Sequence, residues 1–266
     1  MSVQTTTFQG AIFDVDGVLV DSPHEQAWRE SLRELMEGDW RDVAGQTSWS
    51  AERFTPQVYQ EVMSGKPRMA GALAAMRYFD VPDPERRAQV YADHKQKLVV
   101  ALIKAGDFEA YPDALRFVLA VRDARIPIAA ASSSKNADLF LEQIRLDTFA
   151  GQQGLRYDFV HAGLTLKDFF DVDISGRDFK QGKPNPEIFL TGAHELGAPP
   201  QACFVVEDAV SGVQAAKTGG MAALGVARAE DAAILAAAHA DLVVESLDEV
   251  DIGCLHRGQL EYKRSS

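Results

Sequence analysis

Two pairs of acidic residues each follow a short apolar run of the chain. Asp14 and Asp16 come after the run AIF, and Glu207 and Asp208 come directly after CFVV. Crowded carboxylates are costly unless a cation offsets their charge, and carboxylate oxygens are ligands that Mg2+ prefers. Each pair alone is also typical of a residue that caps a helix or a turn. The two pairs together favour a magnesium site.

A carboxylate in such a site can react with a phosphoryl group. Attack by Asp14 would form an aspartyl phosphate, which divides one difficult transfer into two easier ones. The reaction needs a proton-transfer group close by, and Asp16 is suited to it because Gly17 permits a tight turn. Cationic and hydrogen-bonding groups must also surround the phosphoryl oxygens. We expect them from residues 132–136, after the run PIAAA, and from Lys183 in QGKPNPEIF.

Five short apolar runs predict the strands that would carry these residues. They are rich in β-branched residues or alanine, and segments of helical period lie between them. The runs are GAIFDV, PIAAASS, CFVVED, AALGVA and ADLVVES. Strands that alternate with helices are typical of an α/β domain with a parallel sheet, whose ligands bind beyond the carboxyl ends of the strands.

The segment from residue 23 to residue 108 has a different pattern. Its stretches HEQAWRESLRELME, PQVYQEVM, AGALAAMRYF and PERRAQVYADHKQKLVVALIKAG are typical of helices, and none is typical of a strand. We therefore predict an α/β core domain of residues 1–22 and 109–266, with an inserted helical domain of residues 23–108. The stretch TFAGQQGLRYDFVHAGLTLKDFF predicts no definite element.

Composition restricts the partners. The net charge of −12, from 39 acidic and 27 basic residues, argues against nucleic acid but is compatible with a local pocket for an anion. No apolar run approaches the roughly 18 residues of a membrane span, so no membrane association is expected. The start of the chain lacks the pattern of a signal peptide, and its two cysteines form neither a metal motif nor a disulfide framework. We expect a cytoplasmic protein. The sequence does not predict its oligomeric state and is compatible with a monomer.

Four motifs in chain order resemble those of the haloacid dehalogenase-like (HAD) phosphotransferases. They are DVDGVLVDS, AASSSKN, GKPNPEIF and VVEDAVSG, and the resemblance covers nearly the whole chain. It implies a doubly wound parallel sheet, the Rossmann-like HAD core, with an inserted α-helical cap. The second aspartate of the first motif, Asp16, argues against the dehalogenase branch of the family, which lacks it.

The resemblance also implies a role for each motif residue. Asp14 would be the nucleophile and Asp16 the general acid and base. Mg2+ would be held by Asp14, Asp208 and the backbone carbonyl of Asp16, with Glu207 assisting. The transferring phosphoryl group would be bound by Ser132, the amide of Ser133 and Lys183.

Within the family, the insert is similar to that of the β-phosphoglucomutase-like subfamily. Six residues match substrate-contacting positions of that subfamily: His24, Arg68, Lys95, Ser134, Lys135 and Asn136. Arg68, in SGKPRMAGAL, would bind the phosphate that is not transferred, since arginine suits bidentate phosphate contacts. Lys95 would contact the sugar. Only Pro23 lies between the pair Asp21–Ser22 and His24. This spacing is shorter than in the subfamily, which affects the role that the resemblance implies for His24.

Three functions follow from these residues. The first is a mutase that interconverts β-glucose 1-phosphate and glucose 6-phosphate through a bisphosphate. The second is a phosphatase for a small phosphorylated sugar, in which water accepts the phosphoryl group. The third is an inactive phosphate-binding protein. Arg68 and Lys95 favour the mutase, and the complete set of motif residues argues against the inactive protein.

Overall fold

A computed structural model of the protein describes residues 7–63, 66–229 and 231–264. The chain divides into two compact units. One contains Met1–Asp21 and Glu109–Ser266, and the other contains Ser22–Phe108. None of the helices within the described ranges combines the length and the apolar character that crossing a membrane requires.

The second unit is helical. Its helices are α1 (His24–Glu37), α2 (Arg41–Ala44), α3 (Pro56–Val62), α4 (Arg68–Tyr78) and α5 (Pro84–Ala105), with a 3-10 turn at Ala51–Arg53. The buried residues of α1 recur with helical period, so one face of the helix packs into the unit; they are Ala27, Trp28, Ser31, Leu32, Leu35 and Met36. The four stretches with helical patterns all contain helices. The first two residues of SGKPRMAGAL, Ser64 and Gly65, lie outside the described residues.

Aromatic residues join α1 to α5. The rings of Trp28 and Tyr91 have centroids 4.8 Å apart, and the Tyr91 hydroxyl donates to the Trp28 carbonyl at 2.7 Å. The long helix α5 is followed by Gly106, whose φ of 81° is one that glycine adopts without strain.

The first unit is built on a sheet. Its strands are β1 (Gly10–Phe13), β2 (Val20–Asp21), β3 (Glu109–Ala110), β4 (Ile128–Ala130), β5 (Val172–Asp173), β6 (Cys203–Glu207), β7 (Ala222–Val226) and β8 (Leu242–Val244). Six of them form a parallel sheet in the order β5-β4-β1-β6-β7-β8, while β2 and β3 pair separately and antiparallel.

Helices surround this sheet. They are α6 (Pro112–Asp123), α7 (Ala137–Gln143), α8 (Leu146–Gln152), α9 (Leu166–Phe169), α10 (Glu187–Glu195), α11 (Val210–Thr218), α12 (Ala232–Ala237) and α13 (Ile252–Leu255), with 3-10 turns at Pro200–Ala202 and Leu247–Glu249. Every residue of β1 and β6 is buried, which explains why β1 and the first four residues of β6 are continuous apolar runs rather than alternating ones. The predicted α/β class with a parallel sheet is confirmed.

Three strands, β2, β3 and β5, were not predicted, and of these only β5 belongs to the parallel sheet. β5 has only two residues, Val172 and Asp173, which pair with Ala129 and Ala130 of β4. It is too short for a hydrophobic pattern to reveal. The preceding stretch, for which no definite element was predicted, contains α9 and most of α8.

The register of the central strands aligns their carboxyl ends. Phe13, the last residue of β1, lies opposite Ala130 of β4 on one side and Val206 of β6 on the other. The residues that follow these three strands therefore meet at one edge of the sheet.

Candidate active site

Three carboxylates lie together at this edge. Asp14 directly follows β1, Glu207 ends β6, and Asp208 follows it. Oxygen atoms of the three side chains lie within 4.8 Å of one another. Asp14 is 7% exposed and Glu207 is 1% exposed, so water screens their charges poorly.

Lys183 supplies a positive charge to the cluster. Its Nζ atom donates to Asp14 Oδ1 at 2.7 Å and also to Glu207. The ammonium group lies 4.9 Å from the centre of the Phe189 ring in α10, and the side chain is 12% exposed. Lys183 therefore offsets part of the charge of the three carboxylates.

The excess of carboxylates changes their affinity for protons. Burial, together with the charges of Glu207 and Asp16, raises the pKa of Asp14 to about 7 even though Lys183 opposes the change. Burial and the charges of Glu207 and Asp14 also raise the pKa of Asp208. Burial alone would lower the pKa of Lys183, but Asp14 and Glu207 raise it overall. Lys183 thus stays charged, while two of the carboxylates favour additional positive charge.

Two glycines make room for the cluster. A Cβ atom at Gly212 in α11 would lie 1.9 Å from Cδ of Glu207, and one at Gly17 would lie 1.9 Å from Oδ2 of Asp208. Glu207 Oε2 accepts hydrogen bonds from the backbone N–H groups of Asp208 and Ala209, both at 3.1 Å. Gly212 ends the motif VVEDAVSG, but its role was not predicted.

Asp16 and Ser132 meet at the ends of β1 and β4. The Ser132 hydroxyl donates to Asp16 Oδ2 at 3.4 Å, and Ser132 is 2% exposed. The N–H of Ser132 donates to the Ser175 hydroxyl at 3.3 Å, and the N–H of Ser134 donates to Ser132 Oγ at 3.0 Å. Ser175 was not predicted as a site residue because it follows β5, a strand that was itself not predicted.

The rest of the SSSKN run has mixed surroundings. Ser133 is exposed, Ser134 is half-buried and Asn136 is buried. The Lys135 ammonium donates to the carbonyl of Gly176 and to Oδ1 of Asp178, both at 2.6 Å. The predicted substrate contacts of Ser134, Lys135 and Asn136 stay predictions, as does the phosphate contact of Ser133.

The remaining predicted substrate residues belong to the helical unit. His24 begins α1 and is half-buried, while Arg68 begins α4 and is exposed. Lys95 in α5 is only 5% exposed, and its Nζ atom lies 5.1 Å from the centroid of the Trp28 ring. Their roles toward a substrate stay predictions.

The donor set at the sheet edge fits a cation that prefers oxygen. Asp14, Glu207 and Asp208 offer carboxylate oxygens, and Mg2+ is commonly bound through one or two carboxylates together with waters. Among the residues that the structure describes, this is the one group of three or more metal-binding side chains close enough to share an ion. A divalent cation there would offset the charge that Lys183 leaves uncompensated.

Carboxylates, a lysine and a serine at the carboxyl edge of a parallel sheet are typical of α/β enzymes that act on phosphate groups. Residues 8–220 match the model of the haloacid dehalogenase-like hydrolase family. The chain belongs to this family and is an enzyme, either a phosphotransferase or a phosphatase. The resemblance inferred from the four motifs is therefore confirmed.

Relatives with both types of activity are similar to the chain. A β-phosphoglucomutase of Mycobacterium bovis is 31% identical over 261 residues, with 91% of each chain covered. A phosphorylated carbohydrates phosphatase of Thermotoga maritima is 28% identical over 214 residues, covering 80% of this chain and 82% of the relative. The crystal structure of an archaeal β-phosphoglucomutase from Pyrococcus sp. strain ST 04 matches with a TM-score of 0.65 and 25% identity, over 94% of this chain and 99% of that one. The likeness to mutases confirms the subfamily and leaves the acceptor of the phosphoryl group open.

Proposed function

We propose that the protein transfers a phosphoryl group from a small phosphorylated sugar to Asp14 with the help of Mg2+, and that it acts as a β-phosphoglucomutase. The observation that carries the proposal is the 2.7 Å contact of Lys183 with Asp14, beside Glu207 and Asp208. This contact supports a site in which a nucleophilic oxygen and a cation both face an incoming phosphoryl group.

The first half of the reaction uses Asp14 and Asp16. The ionised carboxylate of Asp14 attacks phosphorus, so that a new bond forms from Asp14 to phosphorus and the bond from phosphorus to the sugar oxygen breaks. Asp16 gives its proton to that sugar oxygen as it leaves. Ser132, the backbone N–H of Ser133 and Lys183 bind the oxygens of the transferring group.

The second half runs the same steps in reverse with an acceptor hydroxyl. Asp16 removes the proton of this hydroxyl, whose oxygen attacks phosphorus and releases Asp14 as a carboxylate. Asp14, the backbone carbonyl of Asp16 and Asp208 would hold Mg2+, with Glu207 assisting. The ion would supply the positive charge that lets an anionic nucleophile approach an anionic phosphoryl group.

The acceptor distinguishes the mutase from the phosphatase. A mutase returns the phosphoryl group to a sugar that already carries a phosphate, so it needs a second anion-binding residue, for which Arg68 is our candidate. Lys95 is our candidate for the sugar, and His24, Ser134, Lys135 and Asn136 complete the proposed substrate contacts. The Mycobacterium relative, similar over 91% of both chains, supports this choice.

A sugar-phosphate phosphatase is the second candidate, in which water is the acceptor. The Thermotoga phosphatase, similar over 80% of this chain, favours it. The inactive phosphate-binding protein is set aside, because the chain belongs to a family of enzymes.

One assay separates the two candidates. The protein is incubated with Mg2+, β-glucose 1-phosphate and a trace of β-glucose 1,6-bisphosphate, and glucose 6-phosphate and free phosphate are measured separately. The mutase predicts glucose 6-phosphate with little free phosphate. Free phosphate without glucose 6-phosphate would identify a phosphatase instead.

Arg68→Ala tests the reason for preferring the mutase. We expect the yield of glucose 6-phosphate per free phosphate to fall. Arg77→Ala is the matched control, because Arg77 lies in the same helix and pairs with Glu85 on the surface. Normal mutase activity of Arg68→Ala would remove our argument for a second phosphate site at this residue.

A further inference from the structure

Arg228 connects two distant parts of the α/β unit. Its Nη1 atom donates to both carboxylate oxygens of Asp113, at 3.1 and 2.9 Å. Its other two nitrogens donate to backbone carbonyls, Nε to Gly17 at 3.3 Å and Nη2 to Val18 at 3.0 Å. The guanidinium carbon lies 3.8 Å from the centroid of the Tyr111 ring. All three nitrogens of one guanidinium group are thus engaged.

Asp113 is itself held in place. It lies in the first turn of α6, and its Oδ2 atom accepts hydrogen bonds from the N–H of Leu247 at 2.8 Å and from the Ser246 hydroxyl at 3.3 Å. The side chains of Arg228 and Asp113 are 15% and 10% exposed. Because its partner is fixed from a second side, the guanidinium of Arg228 has a defined orientation.

The carbonyls that Arg228 binds belong to the turn after Asp16. The N–H groups of Leu19 and Val20 donate to the Val15 carbonyl at 2.9 and 3.1 Å, and the N–H of Gly17 donates to the Val20 carbonyl at 2.8 Å. These bonds close a compact turn over residues 15–20. Arg228 ties two carbonyls of this turn to α6, and the first of them belongs to the residue next to Asp16.

We infer that Arg228, oriented by Asp113, is a positioning residue that holds the turn carrying Asp16, so that the Asp16 carboxyl stays beside Ser132 and in line with the sugar oxygen. The inference rests on the proposed function, in which Asp16 protonates the leaving oxygen. Arg228 acts through the backbone of the turn, since its nitrogens bind the carbonyls of Gly17 and Val18.

The other site residues have anchors of their own. Asp14 is fixed by the strand pairing, since its N–H donates to the Val206 carbonyl at 3.1 Å. Lys183 and Ser132 follow other parts of the chain and are held by Glu207 and Ser175. Loss of Arg228 should therefore displace Asp16 more than the groups that bind phosphate or attack phosphorus.

This selectivity gives a measurable signature. Proton donation matters most when the leaving group is a sugar alkoxide and least when it is a stabilised phenolate. The value of kcat/KM for release of the leaving group, glucose or p-nitrophenol, covers the steps up to transfer to Asp14. It should be compared for glucose 6-phosphate and p-nitrophenyl phosphate, with Mg2+ present.

For Arg228→Met we expect kcat/KM to fall about 100-fold with glucose 6-phosphate, as expected for a misplaced proton donor, and no more than about threefold with p-nitrophenyl phosphate. Arg228→Lys should recover part of the loss, since an ammonium group keeps the charge but cannot engage all of these partners. Arg116→Met is the matched control, because Arg116 also pairs with an aspartate of the same unit, donating to Asp248 through two nitrogens. It should leave the ratio of the two substrates unchanged.

An equal loss with both substrates would overturn the inference, because a general structural defect does not distinguish leaving groups. Asp16→Asn separates this failure from that of the proposed function. If Asp16→Asn loses activity selectively with glucose 6-phosphate and Arg228→Met does not, the positioning role alone is wrong. If Asp16→Asn shows no selectivity, the proton-transfer role of Asp16 is wrong and the inference fails with it. Should Arg228→Met not fold, Arg228→Lys is compared with Arg116→Lys in the same two assays, with the same criteria.

Discussion

The α/β unit has two buried sites at which carboxylate groups face a cation. The pKa values of the carboxylates shift in opposite directions at the two sites. At the sheet edge, Lys183 faces Asp14, Glu207 and Asp208, and the pKa of Asp14 is raised to about 7, chiefly by burial. At the start of α6, burial alone would raise the pKa of Asp113, but the bonds from Arg228 and from the N–H of Leu247 lower it overall.

The two sites differ in how many positive charges and hydrogen-bond donors are available to each carboxylate. Asp113 alone pairs with the guanidinium charge of Arg228 and accepts hydrogen bonds from two further donors, so its negative charge is satisfied within the protein. The cluster at the sheet edge shares one ammonium group among three carboxylates, so its charge is satisfied only when something positive is added. The balanced pair, Arg228 and Asp113, stabilises a conformation. The unbalanced cluster, the three carboxylates around Lys183, is suited to binding a cation and reacting with a phosphoryl group.

Removal of the nucleophile should have the largest effect. We expect Asp14→Asn to lower kcat/KM with any phosphate ester by about 10⁴-fold or more, because an amide cannot form the covalent intermediate. Circular dichroism should report an unchanged fold, and no phosphoprotein should be trapped after rapid acid quenching. Full activity of this variant would exclude the covalent mechanism.

Crowding the unbalanced cluster should have the next largest effect. A Cβ atom in Gly212→Ala would collide with Glu207, the shared partner of Lys183, so we expect kcat/KM to fall about 100-fold as the site residues shift. Gly151→Ala in α8 is the control, since nothing lies within 4 Å of its added atom. It should keep full activity and gain up to about 1 kcal/mol in the free energy of unfolding. Equal behaviour of the two variants would contradict the close fit around Glu207.

These two regions also differ in how far the sequence predicts them. The cluster at the sheet edge follows apolar runs, and the strands that these runs predict bring Asp14, Ser132 and Glu207 to one edge. The apolar runs therefore predicted the central strands of the fold, and these strands bring the candidate site residues together, whose catalytic roles stay predictions.

The balanced pair leaves no local pattern. Arg228 lies 115 residues from Asp113 and 211 residues from Gly17, and no spacing along the chain relates them. The one available signal is that Arg228 closely follows β7, at the carboxyl end of a predicted strand. Ser175 was missed for a related reason, since a strand of two residues has no hydrophobic period to detect.

Neutralising the balanced pair should cost stability. We expect Asp113→Asn to lower the free energy of unfolding by about 2 kcal/mol near neutral pH, because it leaves Arg228 without its counter-ion. Urea unfolding with fluorescence detection measures this loss. Asp248→Asn is the control, since Asp248 is 44% exposed, and it should cost no more than about 1 kcal/mol.

The pH dependence of this loss has a defined sign. Because the folded pKa of Asp113 is lowered, its stabilising charge is present above the unfolded pKa and is lost as the pH falls through the folded pKa. The difference between the native protein and Asp113→Asn should therefore shrink in acid, below about pH 4. A difference that grows in acid would contradict the lowered pKa.

The unbalanced cluster predicts the opposite pH dependence, with a smaller effect. Because the folded pKa of Asp14 is raised to about 7 from 3.8, the folded protein keeps a proton that the unfolded chain loses as the pH rises between these values. The contribution of Asp14 to stability therefore decreases over that window when no metal ion is bound. Mg2+ must displace this proton, so Asp14 alone should make the apparent affinity for Mg2+ rise by about tenfold per pH unit up to about pH 7. Calorimetric titrations in buffers of different ionisation enthalpy would count the protons released, and the count should fall in Asp14→Asn. An affinity for Mg2+ that does not change between about pH 5.5 and 7 would show that the cluster is already balanced without the metal.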